Sequence, residues 1–125
     1  MISLPPTLRI YVATAPADMR KGFDTLAALV NSTLRLDPLS GHLFIFRNRR
    51  GDRLKALWWD RDGYSIWMKR LERGTFKFPS PGGDRVEVTP AEMAAILEGI
   101  DLEHARRRPR YARPSANPQD DSILV

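Results

Sequence analysis

The stretch HLFIFRNRRGDRLKALWWDRDGYSIWMKRLERGTFKFP, residues 42–79, carries the strongest structural signals in this 125-residue chain. It contains all three tryptophans, and residues 47–77 hold ten of the chain's twenty lysine and arginine residues. The same segment therefore supplies core-forming side chains and a concentration of positive charge.

The first half of this stretch predicts a β-hairpin. The apolar runs 43–46 and 54–59 flank a polar connection, residues 48–52, in which Gly51 provides the positive φ that tight reversals need. Both runs are almost continuously apolar, which is typical of strands in a sheet that is covered on both faces.

The second half predicts an amphipathic helix. Apolar residues recur there at helical spacing: Tyr64, Trp67, Met68 and Leu71. A strand with Tyr64, Ile66 and Met68 on one face is the alternative, but Gly63 and Gly74 bracket the segment as helix ends would. A short strand over 75–78 follows.

Outside this stretch the patterns predict four more elements. They are a strand over 8–13, a helix from an Asp18 N-cap to about Leu34, a strand over 85–88, and a helix that starts at Thr89-Pro90-Ala91-Glu92 and stops near Gly99. Gly22 lies inside the first predicted helix, where close packing of another segment would explain it.

These elements predict an α+β fold. We expect a single domain over residues 1–105, with a mostly antiparallel sheet and a basic β-hairpin packed against about three helices. Residues 106–125 combine arginine and proline without an apolar period, so they predict a disordered basic tail.

The charge is unevenly distributed along the chain. The formal net charge is +5, yet residues 47–77 alone carry ten basic and four acidic groups, or +6. Such a segment indicates a polyanionic partner, most commonly nucleic acid, although an arginine-rich soluble surface is an equally open interpretation. The chain has no cysteine, and no run resembles a signal peptide or reaches membrane-spanning length, so we expect a soluble cytoplasmic protein.

Few residues of the chain suggest catalytic chemistry. Asp60 and Asp62 have the carboxylates of a Mg²⁺ site, but Asp-x-Asp-Gly is also ordinary turn chemistry. His42 and His104 lack neighbours at metal-ligand spacing, and no phosphate-binding loop or dinucleotide-binding motif is present. We therefore expect no enzymatic activity, no metal and no cofactor.

Nucleic-acid binding has better support. Four arginines crowd the predicted hairpin and its tip, a lysine follows on its second strand, and three more basic residues share the polar side of the predicted helix: Arg47, Arg49, Arg50, Arg53, Lys55, Lys69, Arg70 and Arg73. The tryptophans Trp58, Trp59 and Trp67 suit either stacking on exposed bases or the protein's own core and interfaces.

Three segments resemble a known family. They are VATAPADMRKGFDTLAALV (12–30), DPLSGHLFIFRNRRGDRLKALWWDRDGYSIWMKRLERGTFKFP (37–79) and VEVTPAEMAAILEGID (86–101). They closely resemble the TnpB-type accessory protein of insertion sequence 66 elements, the product of the second open reading frame, over residues 8–103. The resemblance implies a bacterial mobile-element protein that assists a separate transposase, and it carries over no catalytic residues.

Two hypotheses follow. In the first, the chain is a DNA-binding accessory protein that contacts duplex element ends or target DNA through the eight basic residues named above. In the second, it is an adapter that docks on the transposase or another element protein, with Trp59 or Trp67 as anchor and the acidic region 89–103 as a complementary surface. An exposed apolar sheet edge would also permit self-association.

Overall fold

The computed structural model describes residues 7–79, 82–101 and 106–107. In order along the chain, the elements are β1 (Ile10–Ala13), α1 (Phe23–Ser32), β2 (Leu43–Arg47), β3 (Arg53–Asp60), β4 (Gly63–Arg70), β5 (Arg85–Val88), α2 (Pro90–Glu98), β6 (Ile100–Asp101) and β7 (Arg106–Arg107).

Strands β1 to β5 form one mixed sheet in the order β4-β3-β2-β1-β5. The β1–β2 pair is parallel and is joined through α1, whereas the other three neighbouring pairs are antiparallel. This arrangement is the α+β architecture expected from the sequence, with β2 and β3 forming the anticipated hairpin. Strands β6 and β7 make a separate two-stranded ribbon that includes two residues expected in the tail; residues 108–125 lie outside the described part of the chain.

The sheet is covered on both faces, as the continuous apolar runs predicted. Alternate residues of the strands enter two different cores because successive strand side chains point to opposite faces. On one face Ile10, Ile45 and Leu54 pack with Met93 and Ile96 of α2. On the other face the buried group contains these strand and α1 residues: Tyr11, Phe44, Phe46, Leu57, Leu26 and Val30.

The predicted helix over 64–71 is wrong. Residues 63–70 form strand β4, which pairs with β3 in an unbroken register from Arg53↔Arg70 to Asp60↔Gly63. The segment therefore has the strand alternation that was the alternative prediction. Tyr64 and Ile66 pack on the α1 core, whereas Trp67 points to the opposite face. The two-residue connection at 61–62 ties β4 to β3, with Arg61 in the left-handed region at φ 58°.

Helix α1 starts later than predicted. Its N-cap is Gly22, which makes no side-chain capping hydrogen bond, and a Cβ at Gly22 would meet nothing within 4 Å. Close packing therefore does not explain this glycine. Asp18 is not the cap; its carboxylate instead accepts hydrogen bonds from the Arg20 amide and guanidinium.

Helix α2 follows its predicted signals. Thr89 and Glu92 form a complete capping box, Pro90 opens the helix, and Gly99 closes it in the left-handed region at φ 88°. The described residues contain two helices rather than about three, and residues 75–78 form no strand even though Phe76 is buried.

Candidate nucleic-acid interface

The tip of the β2–β3 hairpin is held together by Asn48. The side-chain nitrogen Nδ2 of Asn48 donates to Asp52 Oδ1 at 2.7 Å. The side-chain oxygen Oδ1 of Asn48 accepts from the backbone amides of Gly51 at 2.9 Å and Arg53 at 3.1 Å. Gly51 completes the reversal with φ 82°. Because these bonds fix the backbone of the turn, the exposed side chains of Arg49 and Arg50 start from a defined position.

The segment 71–79 docks against this tip. The Leu71 amide donates to the Asp52 carbonyl at 2.7 Å, and the Phe76 amide donates to the Gly51 carbonyl at 2.8 Å. Phe76 is itself buried in the core beside α2. The exposed residues Arg73 and Lys77 are thereby brought to the same end of the molecule as the tip.

A cleft of about 260 Å³ opens between the tip and the docked segment. Its basic lining residues are Arg47, Arg49, Arg50 and Lys77, and the rings of Phe76 and Phe78 lie beside them. The described residues that line this cleft include no aspartate or glutamate. The positive side chains suit a phosphate-bearing ligand, whereas Phe76 is buried in the core.

Two of the eight predicted DNA-binding residues are engaged inside the protein. The Arg47 guanidinium donates to the Thr14 carbonyl at 2.7 Å, and Lys55 Nζ donates to the Lys21 carbonyl at 2.8 Å. Both side chains are partly buried, and both tie the segment that follows β1 to the sheet. Their hydrogen bonds account for a structural role.

Lys69, Arg70 and Arg73 do not form the helical ridge that the sequence predicted. Lys69 and Arg70 are successive residues of β4, so their side chains leave opposite faces of the sheet, and Arg73 lies beyond the strand. Arg70 is opposite Arg53 in the ladder and pairs with Glu72 at 3.1 Å. All of these residues nevertheless lie at the end of the sheet that carries the hairpin tip.

Strand directions explain why charge accumulates at this end. Strands β1, β2 and β4 finish here, and β3 and β5 begin here. We call this surface the basic end. It contains the eight basic residues predicted from the sequence and four further cations: Arg20, Lys21, Lys77 and Arg85. Lys77 belonged to the basic segment that the sequence marked, whereas Arg20 and Arg85 reach this end only through the fold.

The carboxylates at the basic end are individually balanced. Asp18 pairs with Arg20 at 2.7 Å, and hydrogen bonds from Arg20 hold the Asp18 pKa far below its usual value. The hydrogen bond from Asn48, with a smaller contribution from Arg50, lowers the pKa of Asp52. These groups stay ionised at neutral pH and offset only part of the local positive charge.

The two tryptophans expected to anchor a partner lie on opposite faces. Trp59 is half-buried on the α1 side, where it meets Tyr64 edge to face at a centroid distance of 5.1 Å. Burial, followed by Asp24 and Asp37, raises the pKa of that tyrosine. Trp67 is on the other face and is 44% exposed, so the pair cannot form a single contact patch.

Other kinds of site leave few traces in the described residues. Within 7–79, 82–101 and 106–107, no group of three or more histidine or acidic residues could hold a metal ion, and Asp60 and Asp62 gain no third carboxylate. No helix in the same part of the chain is long and apolar enough to cross a membrane.

Comparison with known proteins gives the family. A family model described as IS66 Orf2 like protein matches residues 8–107. The chain belongs to the IS66 Orf2-like family. This family consists of transposition-associated accessory proteins of insertion sequences, which agrees with the resemblance seen in residues 12–30, 37–79 and 86–101.

Two relatives of this IS66 Orf2-like protein come from Sinorhizobium fredii (strain NBRC 101917 / NGR234). The uncharacterized protein y4hO is 42% identical over 104 residues, which cover 83% of this chain and 90% of the relative. The uncharacterized protein y4jC is 40% identical over 109 residues, which cover 87% of this chain and 93% of the relative. No solved structure matches the chain.

Proposed function

We propose that this IS66 Orf2-like protein is a non-catalytic accessory factor that binds duplex DNA through its basic end and assists a separate transposase. The observation that carries the proposal is the docking of segment 71–79 on the Asn48-centred tip. It gathers cations from both parts of the basic segment around one surface: Arg49, Arg50, Arg53, Arg73 and Lys77.

The exposed charge of this surface supports binding to a duplex. The connection between β2 and β3 lies at the basic end of the five-stranded sheet and carries two exposed arginines, Arg49 and Arg50, which can reach phosphates at the mouth of a groove. Arginine guanidinium groups make paired hydrogen bonds to phosphate oxygens, so the cations around this connection suit the DNA backbone. Binding of this kind positions the protein and depends steeply on salt.

The test compares two charge-matched double variants across a salt series. Arg49→Gln/Arg50→Gln removes cations at the tip, whereas Arg9→Gln/Arg61→Gln removes two exposed cations at the opposite end of the sheet. We expect the tip variant to bind a duplex about 100-fold more weakly, because it loses two arginine contacts that each contribute about 1.4 kcal/mol. Its salt slope should fall by about 2, because each phosphate contact contributes about 0.9.

Equal losses in the two variants would contradict a defined binding surface and would indicate diffuse attraction to a polyanion. Wild-type protein that binds no duplex at low salt would overturn the proposal and favour an adapter without DNA recognition. A duplex that carries an element's terminal repeat, compared with a scrambled duplex, separates end recognition from sequence-independent binding.

Assistance to the transposase is tested by co-purification. The two proteins are mixed with and without element DNA, and recovery of a complex is scored for wild type and for the tip variant. We expect DNA to increase recovery with wild type only. Association that survives the tip substitutions would place the transposase contact elsewhere on the protein.

A further inference from the structure

Strand β4 leaves a long edge of the sheet open. It is the terminal strand in the order β4-β3-β2-β1-β5, and no strand among residues 7–79, 82–101 and 106–107 pairs with its outer side. All eight of its residues pair in register with β3, so no bulge bends the edge, and its sequence GYSIWMKR contains no proline. Natural proteins usually protect edges of this kind, because the unpaired amide and carbonyl groups form a template for another strand.

The open edge is also apolar on both faces. Trp67 is 44% exposed and Met68 is 53% exposed, and as successive strand residues they point to opposite faces beside the edge. A strand added to this edge would cover both side chains while it pairs the free backbone groups. The patch therefore suits β-strand addition.

We propose that the occupant is a second copy of the same chain, paired antiparallel through β4 to give one continuous sheet of ten strands, five from each copy. Charge complementarity supports this choice. The edge begins beside the turn Asp60-Arg61-Asp62, where Arg61 pairs with Asp60 at 3.8 Å and the net charge is −1, and it ends with the basic residues Lys69 and Arg70. Antiparallel pairing places each acidic end against the other copy's basic end, whereas parallel pairing would oppose like charges.

One register satisfies the edge particularly well. With Ile66 at the two-fold axis, Tyr64 faces the partner subunit's Met68, and Arg70 faces the partner subunit's Asp62. Residues that face each other then belong to the same face of the extended sheet, as continuous pairing requires. The contact is self-complementary, which is the condition for a closed two-fold dimer rather than an open chain of subunits.

The dimer has a consequence that rests on the proposed DNA-binding function. Antiparallel pairing of two eight-residue strands, each about 27 Å long at about 3.4 Å per residue, places the two basic ends at opposite ends of the joint sheet. They face away from each other and cannot share one short duplex. A dimer of this form holds two DNA segments at once.

The first experiment measures molar mass by light scattering over a concentration series. The edge variant is Trp67→Lys/Met68→Lys. The matched control, Phe23→Lys/Leu39→Lys, adds the same charge at two apolar side chains that are 50% and 53% exposed. We expect wild type and control to be dimers and the edge variant to dissociate at least about tenfold more readily.

A milder substitution covers the case in which the edge variant fails to fold. Asp62→Lys changes only the turn and places a lysine against the other copy's Arg70, so it should weaken the dimer in low salt. A monomeric wild type at every soluble concentration overturns the proposal. So does an edge variant that dimerises as the control does, or a wild type that pairs through β4 with the transposase but not with itself.

The second experiment measures bridging of two duplexes that carry donor and acceptor dyes. Wild type and control should bring the dyes together, whereas the edge variant should bind each duplex without energy transfer. If the wild-type protein is a dimer but binds no DNA, the proposed function is refuted and the β4 pairing is not. Intact DNA binding by a wild-type monomer would refute only the β4 pairing.

Discussion

Replacement of Asn48 by alanine tests whether the hairpin tip is a built structure. The substitution removes three hydrogen bonds, to Asp52, Gly51 and Arg53, and removes no charge. At about 1 kcal/mol for each bond, and with water replacing part of the loss at this partly buried site, we expect the free energy of unfolding to fall by about 2 kcal/mol. An unfolding entropy of about 2.1 cal/mol/K per residue over roughly 100 residues converts this to about 10 °C in Tm.

The assay is thermal and urea unfolding, with Asn31→Ala as the matched control on the exposed surface of α1. The Asn48→Ala protein should also bind duplex DNA about fivefold more weakly, because Arg49 and Arg50 lose their fixed backbone and must be ordered on binding. If Asn48→Ala has the same Tm and the same urea midpoint as the Asn31→Ala control, the tip hydrogen bonds do not stabilise the hairpin. The preorganisation of the arginines would then be refuted as well.

Two further predictions concern groups beside the tip. The pKa of Asp52 in the folded protein lies below its ordinary value of 3.8, so the unfolded chain binds more protons in acid. The ionised Asp52 therefore stabilises the fold above pH 3.8, and this contribution is lost as the pH falls through the folded pKa. In urea unfolding from about pH 6 to about pH 3, the free energy of unfolding should fall more steeply for wild type than for Asp52→Asn. Lys55→Gln should lower the free energy of unfolding by about 1–2 kcal/mol through the lost bond to the Lys21 carbonyl, while duplex affinity changes less than in Arg50→Gln. A larger affinity loss for Lys55→Gln would return that lysine to the DNA contact surface.

Local sequence signals predicted the elements whose determinants are close together in the chain. The capping box at Thr89 and the left-handed Gly99 define α2 through bonds within a few residues. The turn around Gly51 and the apolar runs beside it define the β2–β3 hairpin in the same way. Two-sided burial was also predictable, because runs such as 43–46 leave no polar face for water.

Strand β4 was mispredicted because its composition satisfies two periods at once. Tyr64, Trp67 and Met68 fit a helical stripe, while Tyr64 and Ile66 also fit a strand face. The structure resolves the ambiguity through pairing with β3 and packing of those two residues on the α1 core. Neither interaction is visible in a local window, and the apolar run itself does not indicate that Trp67 is 44% exposed.

The site was predictable in composition and less so in roles. The count over 47–77 located the basic end, but it could not separate Arg47 and Lys55, which bond to backbone carbonyls, from the exposed Arg49. Those carbonyls belong to residues more than thirty positions away. Only the tertiary fold shows which cations are engaged within the protein.

The placement of β1 between β2 and β5 has a consequence for the order of folding. The β2–β3–β4 meander forms from neighbouring segments. In contrast, Ile10 of β1 pairs with Val88 of β5, which lies 78 positions later in the chain. Closure of so long a loop is slow relative to local pairing, so the docking of β5 and α2 should be the last step. Until α2 emerges from the ribosome, the apolar side chains of Ile10 and Ile45 lack their final cover, and a chain that stops before Arg85 should aggregate.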